Sequence, residues 1–138
     1  MTLKTYKGSC HCGAVRFEAD FDLAKGTNRC NCSYCKKARA WFVTVPPERY
    51  RLVAGADNQT EYQWTPPKKA GPYLHYRFCR TCGVRVVGYG GVDKPDFYFV
   101  PIAALDDVDP AELAAAPVRF ADGRADRFDG TAPDASLL

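Results

Sequence analysis

Seven cysteines in three tight groups carry the most evident chemistry of this sequence: CHCG at Cys10 and Cys12, CNCSYC at Cys30, Cys32 and Cys35, and CRTCG at Cys79 and Cys82. Thiols at such spacing bind soft metal ions or do redox and nucleophilic chemistry. An odd count leaves one thiol over from any disulfide scheme, so metal ligation is the favoured reading. The CxxCG group has the form of a knuckle, a turn that brings two sulfurs to one ion. The following glycine tolerates positive φ there, and backbone N–H groups point at the thiolates. A closed tetrahedral site needs a second pair. Cys10 and Cys12 supply it, because residues i and i+2 of an extended segment share a face. The sequence therefore predicts a structural zinc held by Cys10, Cys12, Cys79 and Cys82, with His11 and His75 standing as alternative ligands.

Cys30, Cys32 and Cys35 remain. Three thiolates with one free coordination position is the pattern of a catalytic or exchangeable zinc, since structural sites close all four positions. Cys35 falls in the first turn of a short helical pattern, SYCKKARA, where free N–H groups and Lys36 or Lys37 favour the thiolate. A redox cluster and a purely structural zinc are the competing readings of the same spacing.

The segments that must position these thiols are mostly strands. Val15, Phe17 and Ala19 alternate with Arg16, Glu18 and Asp20, and EYQW (61–64) and YLHYRF (73–78) alternate likewise. WFVTV (41–45), VRVVGYG (84–90) and DFYFVPIAAL (96–105) are β-rich runs, separated by Pro46-Pro47, Pro66-Pro67 and Gly90-Gly91. Apart from SYCKKARA, the helical signal is PAELAAA, with Asp109 as cap and Pro110 in the first turn. Seven or eight short strands without long intervening helices predict a mainly β fold of antiparallel or mixed sheets.

At 138 residues, 46% of them hydrophobic, the chain has room for one domain with a core. Residues 1–80 hold fourteen Lys and Arg against six Asp and Glu, whereas residues 81–138 hold five against ten. The cysteine-bearing half is thus basic, which suits an anionic small molecule. It has no dense Lys/Arg tract of the kind that marks a nucleic-acid partner. Neither a signal-peptide pattern nor an apolar run of about eighteen residues is present, so the reading is cytoplasmic, with no membrane partner. The last twenty residues are polar and acidic and read as loosely held.

The strings YKGSCHCGAVRFE, CNCSYCKK and YRFCRTCGVRVVG, in this order, resemble the glutathione-dependent formaldehyde-activating enzyme family, which includes centromere protein V-like relatives. The resemblance spans about residues 5–105, with an acidic segment after it, in a single domain 1–138. It implies a β-tent fold and two zinc ions per chain. One, structural, lies at Cys10, Cys12, Cys79 and Cys82, and the other, catalytic or exchangeable, at Cys30, Cys32 and Cys35. It also implies a carbon–sulfur lyase that forms or cleaves the S-hydroxymethyl adduct of glutathione, or a related thiol, and a small aldehyde such as formaldehyde. A thiol carrier without turnover and a zinc-scaffolded interaction module are the alternatives. Lys36, Lys37, Arg39 and Arg77 are the cations available to the carboxylates of glutathione. The family's usual Lys-Ala-Pro-Trp type segment is replaced here by GRADRFDG (123–130).

Overall fold

The structure, a computed structural model, describes residues 3–138. In chain order it runs β1 (Lys4–Ser9), β2 (Arg16–Phe21), β3 (Thr27–Cys30), α1 (Ser33–Ala38), β4 (Trp41–Val45), β5 (Tyr50–Ala54), β6 (Gln59–Trp64), β7 (Leu74–Cys79), β8 (Arg85–Gly90), β9 (Phe97–Pro101), α2 (Pro110–Ala115) and β10 (Val118–Ala121). The strands form two sheets. A three-stranded sheet has the order β1-β2-β5, and a seven-stranded sheet the order β10-β3-β4-β9-β8-β7-β6. All pairings are antiparallel except β10 with β3, so the larger sheet is mixed.

Alternation explains β2. Phe17, Ala19 and Phe21 are buried, while Arg16 faces solvent and Glu18 and Asp20 are half-buried. Gly8 of β1 pairs with Phe17, and a Cβ at that position would run into the Phe17 ring. The buried face of β2 joins Tyr6, Val43, Val45, Val86, Val100 and Ile102 in one core shared by both sheets. Burying that apolar surface is the main stabilising term. Asp109 caps α2 by accepting from the Ala111 N–H at 2.9 Å, with Pro110 next to it.

The structure departs from the sequence expectation in three ways. There are ten strands among the described residues rather than seven or eight. β3 and β10 are four residues long and β5 is five, too short for a convincing period of two. Leu74, His75 and Tyr76 of β7 are all buried, because this strand lies inside the larger sheet with both faces covered at that end. The run 96–105 stops being a strand at Pro101 and continues as a single 3-10 turn, Ile102–Ala104.

On the outer face of the small sheet, Arg51 donates to both carboxylate oxygens of Asp20, at 2.9 and 2.8 Å. Those bonds, with one from Thr5, hold the Asp20 carboxyl down to about 2 against an ordinary 3.8. A carboxylate favoured in the folded state stabilises above its unfolded pKa, and that contribution is lost as the pH falls through the folded value. Arg51→Gln is expected to cost about 1 kcal/mol or less at neutral pH, the pair being partly exposed. The gap between wild type and variant should close as urea titrations are taken from pH 4 toward pH 2; a gap independent of pH would contradict this account.

Candidate metal and thiol site

Two sulfur clusters lie at the ends of strands. In the first, the ligand atoms of Cys10, Cys12, Cys79 and Cys82 all lie within 4.8 Å of one another. Cys10 directly follows β1 of the small sheet, and Cys79 ends β7 of the large one. Both turns have the same construction. The Cys10 N–H bonds the Val15 carbonyl at 3.0 Å and the Gly13 N–H the Cys10 carbonyl at 3.1 Å. The Cys79 N–H likewise bonds the Val84 carbonyl at 2.9 Å and the Gly83 N–H the Cys79 carbonyl at 2.8 Å. Gly13 and Gly83 have φ of 81° and 77°, which a side chain would strain.

The sulfur spacing tests whether an ion fits. Four sulfurs bonded at about 2.3 Å to one tetrahedral ion must stand about 3.8 Å apart. Cys10 and Cys12 Sγ are 3.6 Å apart, and Cys12 and Cys79 Sγ 3.7 Å. A disulfide would bring them to about 2.05 Å. N–H groups of Val15, Thr81 and Cys82 and the Asn58 amide point at Cys10 or Cys79 sulfur, at 3.3–3.4 Å. Such donors favour thiolate over thiol, and the Cys82 N–H foremost draws Cys79 down to about 6. The donor set fits a metal ion.

In the second cluster, Cys30, Cys32 and Cys35 also gather within 4.8 Å, and no fourth Cys, His, Asp or Glu among the described residues joins them. Cys30 ends β3, and Cys32 caps α1, its sulfur accepting from the Cys35 N–H at 3.3 Å. The Cys32 N–H donates to Cys30 sulfur at 3.4 Å. Hydrogen bonds from the Cys30 and Cys35 thiols, then the Cys35 and Tyr34 N–H groups, hold Cys32 down to about 3. Cys35 is pushed far up, because its hydrogen is held by Cys30 and Cys32. Three sulfurs this close together, with N–H groups directed at Cys30 and Cys32, suit a bound cation as its ligands.

The last segment of the chain closes one side of this cluster. Asn31, 2% exposed between Cys30 and Cys32, donates to Asp122 at 2.9 Å and to Asp134 at 2.8 Å. Its side-chain oxygen accepts from the Arg124 N–H at 3.0 Å, and its backbone N–H bonds the Ala121 carbonyl at 3.2 Å. Gly123 sits so close that a Cβ there would be 2.5 Å from Cys30 sulfur. The acidic terminus is therefore pinned across the cysteines, not loosely held. Its composition masks this, because Asn31 and Lys36, which hold Asp122 and Asp134, lie about ninety to a hundred residues earlier.

The opposite side is open. A cleft of about 440 Å³, counting its mouth, runs beside Cys35 between α1 and the large sheet, walled by Tyr34, Trp41, Tyr76, Arg85 and Phe99. Tyr34 stacks on Tyr76 with ring centres 3.6 Å apart. No residue pattern singles out Arg85, whereas adjacency to a ligand cysteine is the signal that points to Asn31 and Tyr34. The two histidines stand apart from both clusters. His11 is exposed. His75 is buried between the Glu61 carboxylate at 3.0 Å and the Gly91 carbonyl at 2.9 Å.

Fold and site together define a small β protein with one closed and one open cysteine cluster. The chain belongs to the glutathione-dependent formaldehyde-activating enzyme family, whose profile matches residues 5–120. A Halomonas elongata protein provisionally named a glutathione-dependent formaldehyde-activating enzyme is 34% identical over 80 residues, 55% of this chain and 50% of that protein. The chain thus spans about half the length of this curated relative. A crystal structure of a Rhodobacter sphaeroides protein is similar with a TM-score of 0.64 and 35% identity, covering 81% of this chain and 98% of that one. The segment that bonds Asn31 lies mainly beyond residue 120, outside the family match.

Asn31→Ala removes three side-chain hydrogen bonds, to Asp122, Asp134 and the Arg124 N–H, while the backbone bond to Ala121 stays, and the buried polar atoms it strands should cost about 1–3 kcal/mol. Thermal denaturation measures that loss. In metal-free protein, Cys30 and Cys32 should also react faster with a dithiopyridine reagent while Cys12 and Cys82 keep their rates. Unchanged melting and unchanged thiol rates would contradict the pinning.

Proposed function

We propose that the protein is a zinc-dependent carbon–sulfur lyase that forms and cleaves the S-hydroxymethyl adduct of glutathione, or a related thiol, and a small aldehyde such as formaldehyde. The observation that carries this reading is the incomplete ligand set of Cys30, Cys32 and Cys35 at the edge of an open cleft, beside a complete set of four elsewhere. Cys10, Cys12, Cys79 and Cys82 would hold a structural zinc, and Cys30, Cys32 and Cys35 a catalytic one. A zinc ion with a free position acts as a Lewis acid and favours ionisation of a thiol beside it.

The reaction asks little bond-making of the protein. The thiol sulfur adds to the carbonyl carbon, one carbon–sulfur bond forms, and the carbonyl oxygen takes up the proton the thiol gives up; cleavage is the reverse. What the chain supplies is proximity and a restricted approach. The cleft would bring reactants to the Cys35 side, where its aromatic walls leave little room, while the pinned terminus covers the Cys30 side. Residues 1–138 would act as one domain, since the terminal segment completes the wall of the site. Seven free cysteines suit a reducing cytoplasm, and no helix of the described residues is long and apolar enough to cross a membrane.

Metal analysis and exchange spectroscopy test the reading together. Wild type should carry about two zinc ions per chain and accelerate exchange between carbon-13 formaldehyde and its glutathione adduct above the uncatalysed rate. Cys35→Ser should keep its fold, fall to about one zinc and lose the acceleration, whereas Cys82→Ser should lose the fold. Glutathione binding without acceleration would replace the lyase by a carrier, and zinc content unaffected by Cys35→Ser would overturn the catalytic site.

A further inference from the structure

The basic residues around the open cluster are mostly committed to other partners. Lys36 pairs with Asp134 at 3.1 Å, Arg39 donates to the Leu137 carbonyl at 2.6 Å, and Arg77 pairs with Glu61 at 3.0 Å. Lys37 is exposed, outside the cleft lining. Three of the four cations the sequence offered are therefore occupied, and the fourth does not face the site.

Arg85 differs from all of them. It lies on β8, three residues after Cys82, and lines the same cleft as Cys35. Its guanidinium donates to the Ala38 carbonyl at 3.0 Å and stands 5.8 Å from the centre of the Tyr34 ring. Among the described residues it pairs with no carboxylate. A guanidinium carries five N–H donors in a planar fork suited to two oxygens at once, and here the fork is anchored at one edge and backed by an aromatic face. A half-buried arginine that bonds the Ala38 carbonyl and the Tyr34 side chain but no carboxylate, in a cleft walled mainly by aromatic and apolar groups, is a binding group suited to a planar anion. One fork without further cations or a cradle of backbone N–H groups matches a carboxylate better than a phosphate.

We propose that Arg85 is the specificity-determining residue of the cleft and binds a carboxylate of the substrate, whose reacting end then lies at Cys35. This rests on the reading of Cys30, Cys32 and Cys35 as the reaction centre. The carboxylate belongs either to a peptide thiol or to a small oxo acid. The cleft leaves about 40 Å³ for water-sized groups, so only part of either ligand enters it.

Calorimetric titration of the zinc-loaded protein with S-methylglutathione, its diethyl ester and glyoxylate tests this without turnover, because none of the three is a free thiol. Wild type should bind at least one acid, and S-methylglutathione, if that is the one, more tightly than its ester. Arg85→Gln should weaken the acid about tenfold or more, as loss of a charge-assisted bond does, leave the ester unchanged, and keep zinc content and melting temperature. Arg85→Lys should restore part of the affinity. A loss seen with S-methylglutathione puts the carboxylate on the thiol; a loss confined to glyoxylate puts it on the carbonyl compound. The proposal is overturned if wild type binds neither acid, or if Arg85→Gln binds both as wild type does. Should Arg85→Gln fail to fold, equal wild-type affinity for S-methylglutathione and its ester, with no glyoxylate binding, overturns it as well. Carboxylate binding that survives without any rate acceleration would refute the lyase and leave Arg85 in its role.

Discussion

Four sulfurs that no disulfide joins gather where an end of each of the two sheets of this protein meets the other. Cys10 and Cys12 stand at the end of the small sheet and Cys79 and Cys82 at the turn between β7 and β8 of the large one. Thiols tolerate this crowding, but thiolates do so only if something balances their negative charge. N–H groups aimed at Cys10 and Cys79 do part of this. A bound ion at the centre would do the rest, converting binding energy into folding energy. Two hydrogen bonds nearby, Ser9 to Asp106 at 2.7 Å and the Lys7 N–H to Asp107 at 2.9 Å, fasten β1 to the segment after β9.

Once the sheets are aligned, the open cluster follows from β3 and α1. β3 delivers Cys30, the chain turns at Asn31, and Cys32 and Cys35 bracket the first turn of α1. Arg85 stands three residues beyond the knuckle, so the closed cluster also fixes the wall of the cleft beside the open one. The site is therefore asymmetric: the chain's terminal segment covers Cys30, and the aromatic cleft leaves Cys35 approachable. That asymmetry leaves the Cys35 side of the open cluster accessible to a small molecule.

Much of this was legible in the residues themselves. CHC, CNCSYC and CRTCG announce their grouping because ligand spacing is local, and the alternation of Phe17, Ala19 and Phe21 announces β2 because one face of that strand meets the core. What stayed hidden is long-range. β10 pairs with β3 across about ninety residues, and neither is long enough to show a period. Asn31 looks like a spacer between two cysteines until Asp122 and Asp134 are brought to it. Lys36, Arg39 and Arg77 look available in sequence because their partners, Asp134, Leu137 and Glu61, are distant from them along the chain. A charge count sees basic residues; only the fold says which are already spent.

The central claim is that one cysteine cluster is closed and the other open. X-ray absorption at the zinc edge of the purified protein, before and after addition of glutathione, measures this directly. The account predicts an average coordination below four sulfurs per zinc, with a lighter oxygen or nitrogen neighbour at the three-cysteine site, rising toward four sulfurs when glutathione is added. Four sulfurs around every zinc at the outset, unmoved by glutathione, would contradict it.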